Sequence, residues 1–222
     1  MHRGYRDKHV ADEFDRQASH YDDSLTVRSF QSRVQSLVLE KMRIERGMRV
    51  LDLGCGTGAG TIKIAARLEG TGRVVGLDLS EKMIEQAERK LAELECANVA
   101  FVVGSGAELD YDGCFDCVLS TNAFHHFGDK EGVFSQVCRS LKPGGAFWVQ
   151  DICDDFALMR AVDLLGKLGE RAHVGSTTSS GLRELLASAG FVDIDVQVQK
   201  LDWFWGIMVG KGVRNHGPGG QE

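Results

Sequence analysis

Four kinds of side chain here carry recognisable chemistry: glycines spaced for a ligand, carboxylates at strand ends, tandem imidazoles and scattered thiols. Arg49 to Gly60, RVLDLGCGTGAG, sets Gly54, Gly56 and Gly58 at alternate positions, with Asp52 before them and Thr57 among them. Lacking Cβ atoms, such a loop lets a ligand lie against the backbone. The N-terminus of the helix that follows offers unpaired N–H groups and a positive dipole end to a carboxylate or phosphate. Asp78 comes about twenty residues later, the separation at which nucleotide-binding α/β folds place an acceptor for ribose hydroxyls. His125 and His126 are candidate general bases, because imidazole titrates near neutral pH. Cys114 and Cys117 form a C-x-x-C, yet no second pair and no His-x-x-x-His completes a zinc set. With Cys55, Cys96, Cys138 and Cys153 they read most simply as reduced thiols.

These residues need strands to end where they stand. Arg49 to Leu53 has the make-up of a buried parallel strand, and a helical run from Thr61 to Leu68 follows. Strands are expected at Val74 to Asp78, Val99 to Val103 and Cys114 to Ser120. The helix from Glu81 is signalled by Ser80 as N-cap and an apolar face of Met83, Ile84, Ala87, Leu91 and Leu94. Further on come a helix from Asp129 to Leu141, a Lys142-Pro143-Gly144-Gly145 turn and a strand from Ala146 to Gln150. Asp155 to Leu168 reads as helix, Gly169 to Thr178 as loop, and Leu182 to Ala189 as a helix stopped by Gly190. The alternation implies a parallel sheet with right-handed crossovers. Phe191 to Gln199 and Trp203 to Val209 close the chain as a hairpin, with Trp203 and Trp205 on one face. Two helices precede the glycine loop, Val10 to Ser19 and an amphipathic one from Leu25 that ends near Gly47.

At 222 residues and 43% hydrophobic, the chain is sized for one α/β domain, expected over 1–210, with 1–46 a helical cover and 211–222 a disordered tail. A net charge of −6 and the lack of a Lys/Arg run argue against a surface that tracks nucleic-acid phosphates. No apolar stretch approaches a membrane span, and MHRGYRDKHV has no apolar signal core, so a soluble cytoplasmic protein is expected.

The glycine loop fits two ligand classes. Gly54, Gly56 and Ala59 satisfy the dinucleotide pattern G-x-G-x-x-G/A loosely, whereas Gly58 makes it G-x-G-x-G with Asp52 two positions before. In that second form it resembles motif I of the class I S-adenosylmethionine-dependent methyltransferases. RVVGLDLS at Arg73 to Ser80, FDCVLSTNAFHHF at Phe115 to Phe127, LKPGGAFWVQD at Leu141 to Asp151 and FDRQASHYD at Phe14 to Asp22 resemble further segments of the same family. The similarity is to the branch that contains ubiquinone/menaquinone-biosynthesis enzymes and runs from about Ala11 to Gly210.

This resemblance implies a Rossmann-like, doubly wound and mostly parallel seven-stranded sheet with an antiparallel C-terminal hairpin strand. It implies S-adenosylmethionine as cofactor and S-adenosylhomocysteine as product. By the same resemblance, backbone amides at Gly54, Gly56, Thr57 and Gly58 hold the methionine part, Asp52 lies near its amino group and Asp78 binds the ribose. Leu79 and Met83 cover adenine, while Ser105, Gly106 and Ala107 read the base edge. Ser120, Thr121 and Asn122 meet the methionyl end, and Tyr21 belongs to a lid. Where the family usually has G-D-A, this chain has Gly104-Ser105-Gly106-Ala107, which leaves the adenine amino group a weaker acceptor. His125 and His126 take the candidate catalytic role. No N/D-P-P-Y/F tetrad follows the fourth strand, where Thr121-Asn122-Ala123-Phe124 stands, and there is no Pro-Cys nucleophile. A small-molecule acceptor is therefore expected ahead of protein or RNA, a cofactor-binding protein without transfer activity, or a dinucleotide oxidoreductase. Oligomeric state is not legible in the chain.

Overall fold

The computed structural model describes residues 3–21, 25–94, 96–156, 175–201 and 206–217. Five strands, β1 (Arg49–Leu53), β2 (Arg73–Asp78), β3 (Val99–Val103), β4 (Phe115–Thr121) and β5 (Leu141–Ile152), lie parallel. The hairpin β6 (Phe191–Lys200) and β7 (Gly206–Arg214) completes a seven-stranded sheet of order β3-β2-β1-β4-β5-β7-β6, with β7 antiparallel to both neighbours. Helices α1 (Arg3–Gln17) and α2 (Leu25–Lys41) precede β1. Helices α3 (Ala59–Arg67), α4 (Glu81–Ala92), α5 (Lys130–Ser140) and α6 (Ser179–Ser188) follow in order.

The alternation of side chains along each strand divides the apolar residues between two cores. Leu51, Leu53, Val118, Phe147 and Val149 face Phe134 and Val137 of α5 and Leu182 and Leu186 of α6. On the opposite face Val50, Val74, Cys117 and Leu119 meet Val38 and Leu39 of α2, Ile64 and Ala65 of α3 and Leu68 just after it. With both faces covered, the central strands read as continuous apolar runs. Side-chain caps set the helix starts: Ser80 Oγ accepts from Met83 N, Asp129 from Gly132 N and Thr178 from Gly181 N.

Some boundaries differ from the sequence reading. Helix α1 begins at Arg3, well before Val10. The Lys142-Pro143-Gly144-Gly145 turn lies within β5, where the register against β4 jumps from Phe115↔Leu141 to Cys117↔Ala146. Lys211 to Arg214 belong to β7 and not to a tail: Lys211 pairs with Trp148 and Val213 with Ala146. Glycines of this strand are packing positions, since a Cβ at Gly212 would come 2.9 Å from Phe191 Cβ and one at Gly210 2.8 Å from Leu182. The helix expected over Asp155 to Leu168 falls mostly outside the described residues, as do Gly169 to Val174 of the following loop and Trp203, Phe204 and Trp205. All six cysteines are free thiols, and burial pushes that of Cys117 up to about 12.

Candidate active site

The C-terminal ends of β1, β2, β3 and β4 open into one cavity of about 670 Å³, roofed by α1 and α2. The β1 loop is pinned to β2 by Gly54 N and Cys55 N, which donate to Leu77 O at 2.8 and 3.1 Å. Lys90 Nζ of α4 donates to Thr57 O at 3.0 Å. All three glycines have positive φ, 74° at Gly54, 53° at Gly56 and 79° at Gly58, but for different reasons. A Cβ on Gly54 would meet that of Ala123 at 2.5 Å, so the β1 and β4 loops touch there. A Cβ on Gly58 would strike Phe101 at 2.6 Å and Ala87 at 2.9 Å, so this glycine serves helix-to-strand packing and does not line the cavity. At Gly56 a Cβ would meet nothing within 4 Å and would project into open space beside a cavity-lining backbone. Gly58 caps α3 without a side-chain bond, which leaves the helix's first amides open to an anion.

Asp78 ends β2 at the cavity wall, where Oδ2 accepts from Gly56 N at 2.8 Å and Oδ1 from Ser80 N at 3.0 Å. Desolvation raises its pKa, against the lowering effect of the Ser80, Gly56 and Leu79 amides. Asp52 is buried, and its Oδ2 accepts from Thr61 Oγ1 at 2.7 Å. Burial pushes its pKa up to about 6, the Thr61 bond opposes this, and the charge of Asp78 adds to it. A cation placed beside Asp52 would remove that penalty.

The structure separates the tandem histidines. His126 lines the cavity, with its ring 4.9 Å from that of Phe14 and 3.9 Å from that of His125. His125 lies outside the lining. Its Nδ1 is 2.7 Å from Asp151 Oδ1, and its backbone N donates to Asp151 Oδ2 at 2.8 Å. Burial alone would raise the Asp151 pKa, but the charge and hydrogen bonds of His125, with the Ile152 amide, hold it below the usual carboxylate range. Ser120 is likewise outside the lining and fully buried, and its Oγ has no hydrogen-bond partner among the described residues. Tyr21, Thr57, Leu79, Met83, Ser105, Gly106, Ala107, Thr121 and Asn122 do line the cavity. Asn122 holds a left-handed φ of 52°, and its N donates to Gln150 O.

Several lining residues were not anticipated: Asp7, Val10 and Phe14 of α1, Gln31, Ser32 and Gln35 of α2, and Lys63 of α3. Gln31 Nε2 donates to Tyr21 Oη at 2.8 Å, and Lys63 Nζ to Ser32 Oγ at 3.0 Å. A Cβ on Gly60 would lie 3.2 Å from Asp52 Oδ2 and 3.3 Å from Gln35 Nε2, so α2 brings an amide close to the buried carboxylate. The sequence signal is the helical spacing of Asp7, Val10 and Phe14, which share one face because α1 starts at Arg3.

A methyltransferase domain family matches residues 44–190 of the chain. The chain belongs to this family. It is an S-adenosylmethionine-dependent methyltransferase of the small-molecule type. Demethylmenaquinone methyltransferase of Geobacillus sp. (strain WCH70) is 26% identical over 215 residues, 86% of this chain and 92% of that protein. A Haloferax volcanii methyltransferase solved with the Trm112 activator superposes with a TM-score of 0.75 at 23% identity, over 92% of this chain and 98% of that one. Phosphoethanolamine N-methyltransferase 2 of Haemonchus contortus, solved with phosphomonomethylethanolamine and S-adenosylhomocysteine, gives 0.69 at 19% identity, over 82% of this chain and 52% of that one. These two structures share its fold. The methyltransferase's own cavity fits the cofactor on local grounds: a backbone cradle at Gly56 that any Cβ would enter, open amides at α3 and carboxylates at Asp52 and Asp78. Among the described residues no helix is long and apolar enough to cross a membrane.

Proposed function

We propose that this methyltransferase methylates a small acceptor with a flat aromatic face, held between α1, α2 and the loop after β4. The observation that carries the reading is the continuity of one roofed cavity from the glycine loop to Phe14, Tyr21, His126 and Phe127. The rings of Phe14 and Tyr21 meet edge to face with centroids 6.3 Å apart, and His126 meets Phe14 in the same manner. A Geobacillus relative named for demethylmenaquinone fits such an acceptor. The net charge of −6 and a concave site beneath α1 and α2 favour a small molecule over protein or RNA. Six free thiols suit a reducing, cytoplasmic setting.

When bound, S-adenosylmethionine supplies an electrophilic methyl on a positively charged sulfur. The chain's part is to bind, align and exclude water. In this reading the Thr57 and α3 amides hold the carboxylate over the bare backbone of Gly56, whose own N–H is given to Asp78, while Asp52 holds the ammonium and Asp78 the ribose hydroxyls. Asn122 and Thr121 border the transfer end. An imidazole nitrogen of His126 takes the proton of a hydroxyl acceptor, while His125 positions it through Asp151 and ring contact. Residues 1–46 are the cover that closes the site.

Incubation with cofactor carrying a deuterated methyl and a metabolite extract should give a new product with one labelled methyl. In the same assay His126→Phe should lose most turnover while binding S-adenosylhomocysteine normally. Full turnover in His126→Phe removes the base assignment, and labelling confined to protein or RNA removes the small-molecule reading.

A further inference from the structure

Ser105 does not face the cavity alone. Its Oγ donates to Asp7 Oδ2 at 2.7 Å and accepts from Ala107 N at 3.2 Å, which commits its single proton to a carboxylate brought in by α1. Both Asp7 and Ser105 line the cavity. Asp7 has no other hydrogen-bond partner among the described residues, so Oδ1 is left to a ligand. We propose that Asp7 accepts the exocyclic amino group of the cofactor's adenine, so that the N-terminal helix reads the base. The inference rests on the cofactor placement given above and extends it to an element outside the sheet.

The sheet order supports the location. Strands run β3-β2-β1-β4, so a ligand with its amino-acid end on the β1 loop and its ribose at Asp78 extends its base toward the end of β3. There the apolar side chains of Leu79, Met83 and Val133 line the cavity beside residues 104–107. A flat apolar slot binds any purine, and discrimination needs a polar group at its edge. A carboxylate is acceptor-only: it suits the amino group of adenine and opposes the oxygen that a 6-oxopurine presents at the same place. An alternative partner for Asp7, a cationic methyl acceptor, would have to lie on the far side of β1, over β4, where His126 and Asn122 stand.

Docking of α1 does not by itself require Asp7 in the cavity. Two helical turns further on, Asp15 Oδ1 accepts from Ser80 Oγ at 2.5 Å and from Lys82 N at 3.1 Å, at the positive end of α4. This second carboxylate provides the control.

The test compares S-adenosylhomocysteine with S-inosylhomocysteine, its 6-oxo counterpart, by calorimetry on the full-length wild type, Asp7→Asn and Asp15→Ala. The wild type should prefer the adenosyl compound about tenfold to a hundredfold, the range for a hydrogen bond to a charged group. In Asp7→Asn the amide can still accept from Ser105 and can donate to the 6-oxo group, so the preference should fall at least about tenfold or invert. Asp15→Ala should weaken both compounds by one common factor and leave their ratio unchanged. A wild-type ratio near one, or an unchanged ratio in Asp7→Asn, overturns the proposal. Binding of neither compound by the wild type removes the cofactor placement itself, and the proposal with it.

Discussion

Gly56 and Gly58 are the same residue type two positions apart, and the structure gives them unlike tasks. At Gly58 an added Cβ has to displace Phe101 and Ala87 at a positive φ, so Gly58→Ala should destabilise the fold by about 2–4 kcal/mol from strain and overpacking together. At Gly56 only the strain of φ 53° applies, about 1 kcal/mol, while the new methyl enters the ligand's place. Gly56→Ala should therefore stay folded in denaturant titration and lose cofactor binding in calorimetry. The opposite pattern would show that Gly58 is the ligand contact. Asp52 makes a pH prediction. Its folded pKa, raised from 3.8 to about 6, corresponds to a contribution on the order of 3 kcal/mol, fully present below 3.8 and lost as pH rises through 6. Asp52→Asn should flatten the stability profile across that window. A bound ammonium favours the ionised form, so cofactor binding should release a proton near pH 6 and tighten as pH climbs from about 5 to 7. Binding heats that do not vary with the buffer's ionisation enthalpy at pH 6 would mean that Asp52 does not meet the ammonium.

The last strand runs past the end expected at Val209. Gly210 and Gly212 alternate with Lys211 and Val213, and the missing side chains are what let β7 pass beneath Leu182 of α6 and Phe191 of β6. Gly212→Ala should cost about 1–3 kcal/mol, because the contact at 2.9 Å is to Phe191 Cβ, which cannot swing aside. A melting temperature unchanged by this substitution would mean that the hairpin packs more loosely than the structure shows. The parallel strands were legible from their apolar runs, and α4 from Ser80 and its apolar face, because burial on two sides and side-chain capping leave local marks. The carboxylates at the ends of β1 and β2 were legible for the same reason. The separation of His125 from His126 was not, since it depends on Asp151, twenty-six residues away from His125 on β5. Nor were Gln31, Ser32 and Gln35: polar residues on a helix look solvent-facing until the helix is seen to roof a cavity.

At the scale of the whole molecule, α1 is attached to the site and not to the fold. Among the described residues neither of the two apolar cores contains one from α1, although Val10 of α1 and Ala18 just after it are buried. Its described contacts include polar and aromatic ones to elements around the cavity: Asp7 to Ser105, Asp15 to Ser80 and Lys82, and Phe14 to His126. Elements held by few buried apolar contacts open at low free-energy cost, and lids are drawn from that class. Asp15 also helps raise the pKa of Asp78, so a docked α1 brings negative charge to the ribose end that bound hydroxyl donors would stabilise. Cofactor and α1 should then favour each other's binding. Amide hydrogen exchange should slow across 7–21 when S-adenosylmethionine is added, with little change in β5 or β7. Deleting residues 1–24 should leave a protein that unfolds cooperatively, because both cores survive, binds the cofactor more weakly and transfers no methyl. The weaker binding follows from the loss of Asp7 and Asp15, and the lost transfer from water reaching His126 once Phe14 and Tyr21 are gone. Full turnover in the truncated protein would place the whole acceptor site on α2 and the loops of the sheet, and α1 would then be dispensable cover.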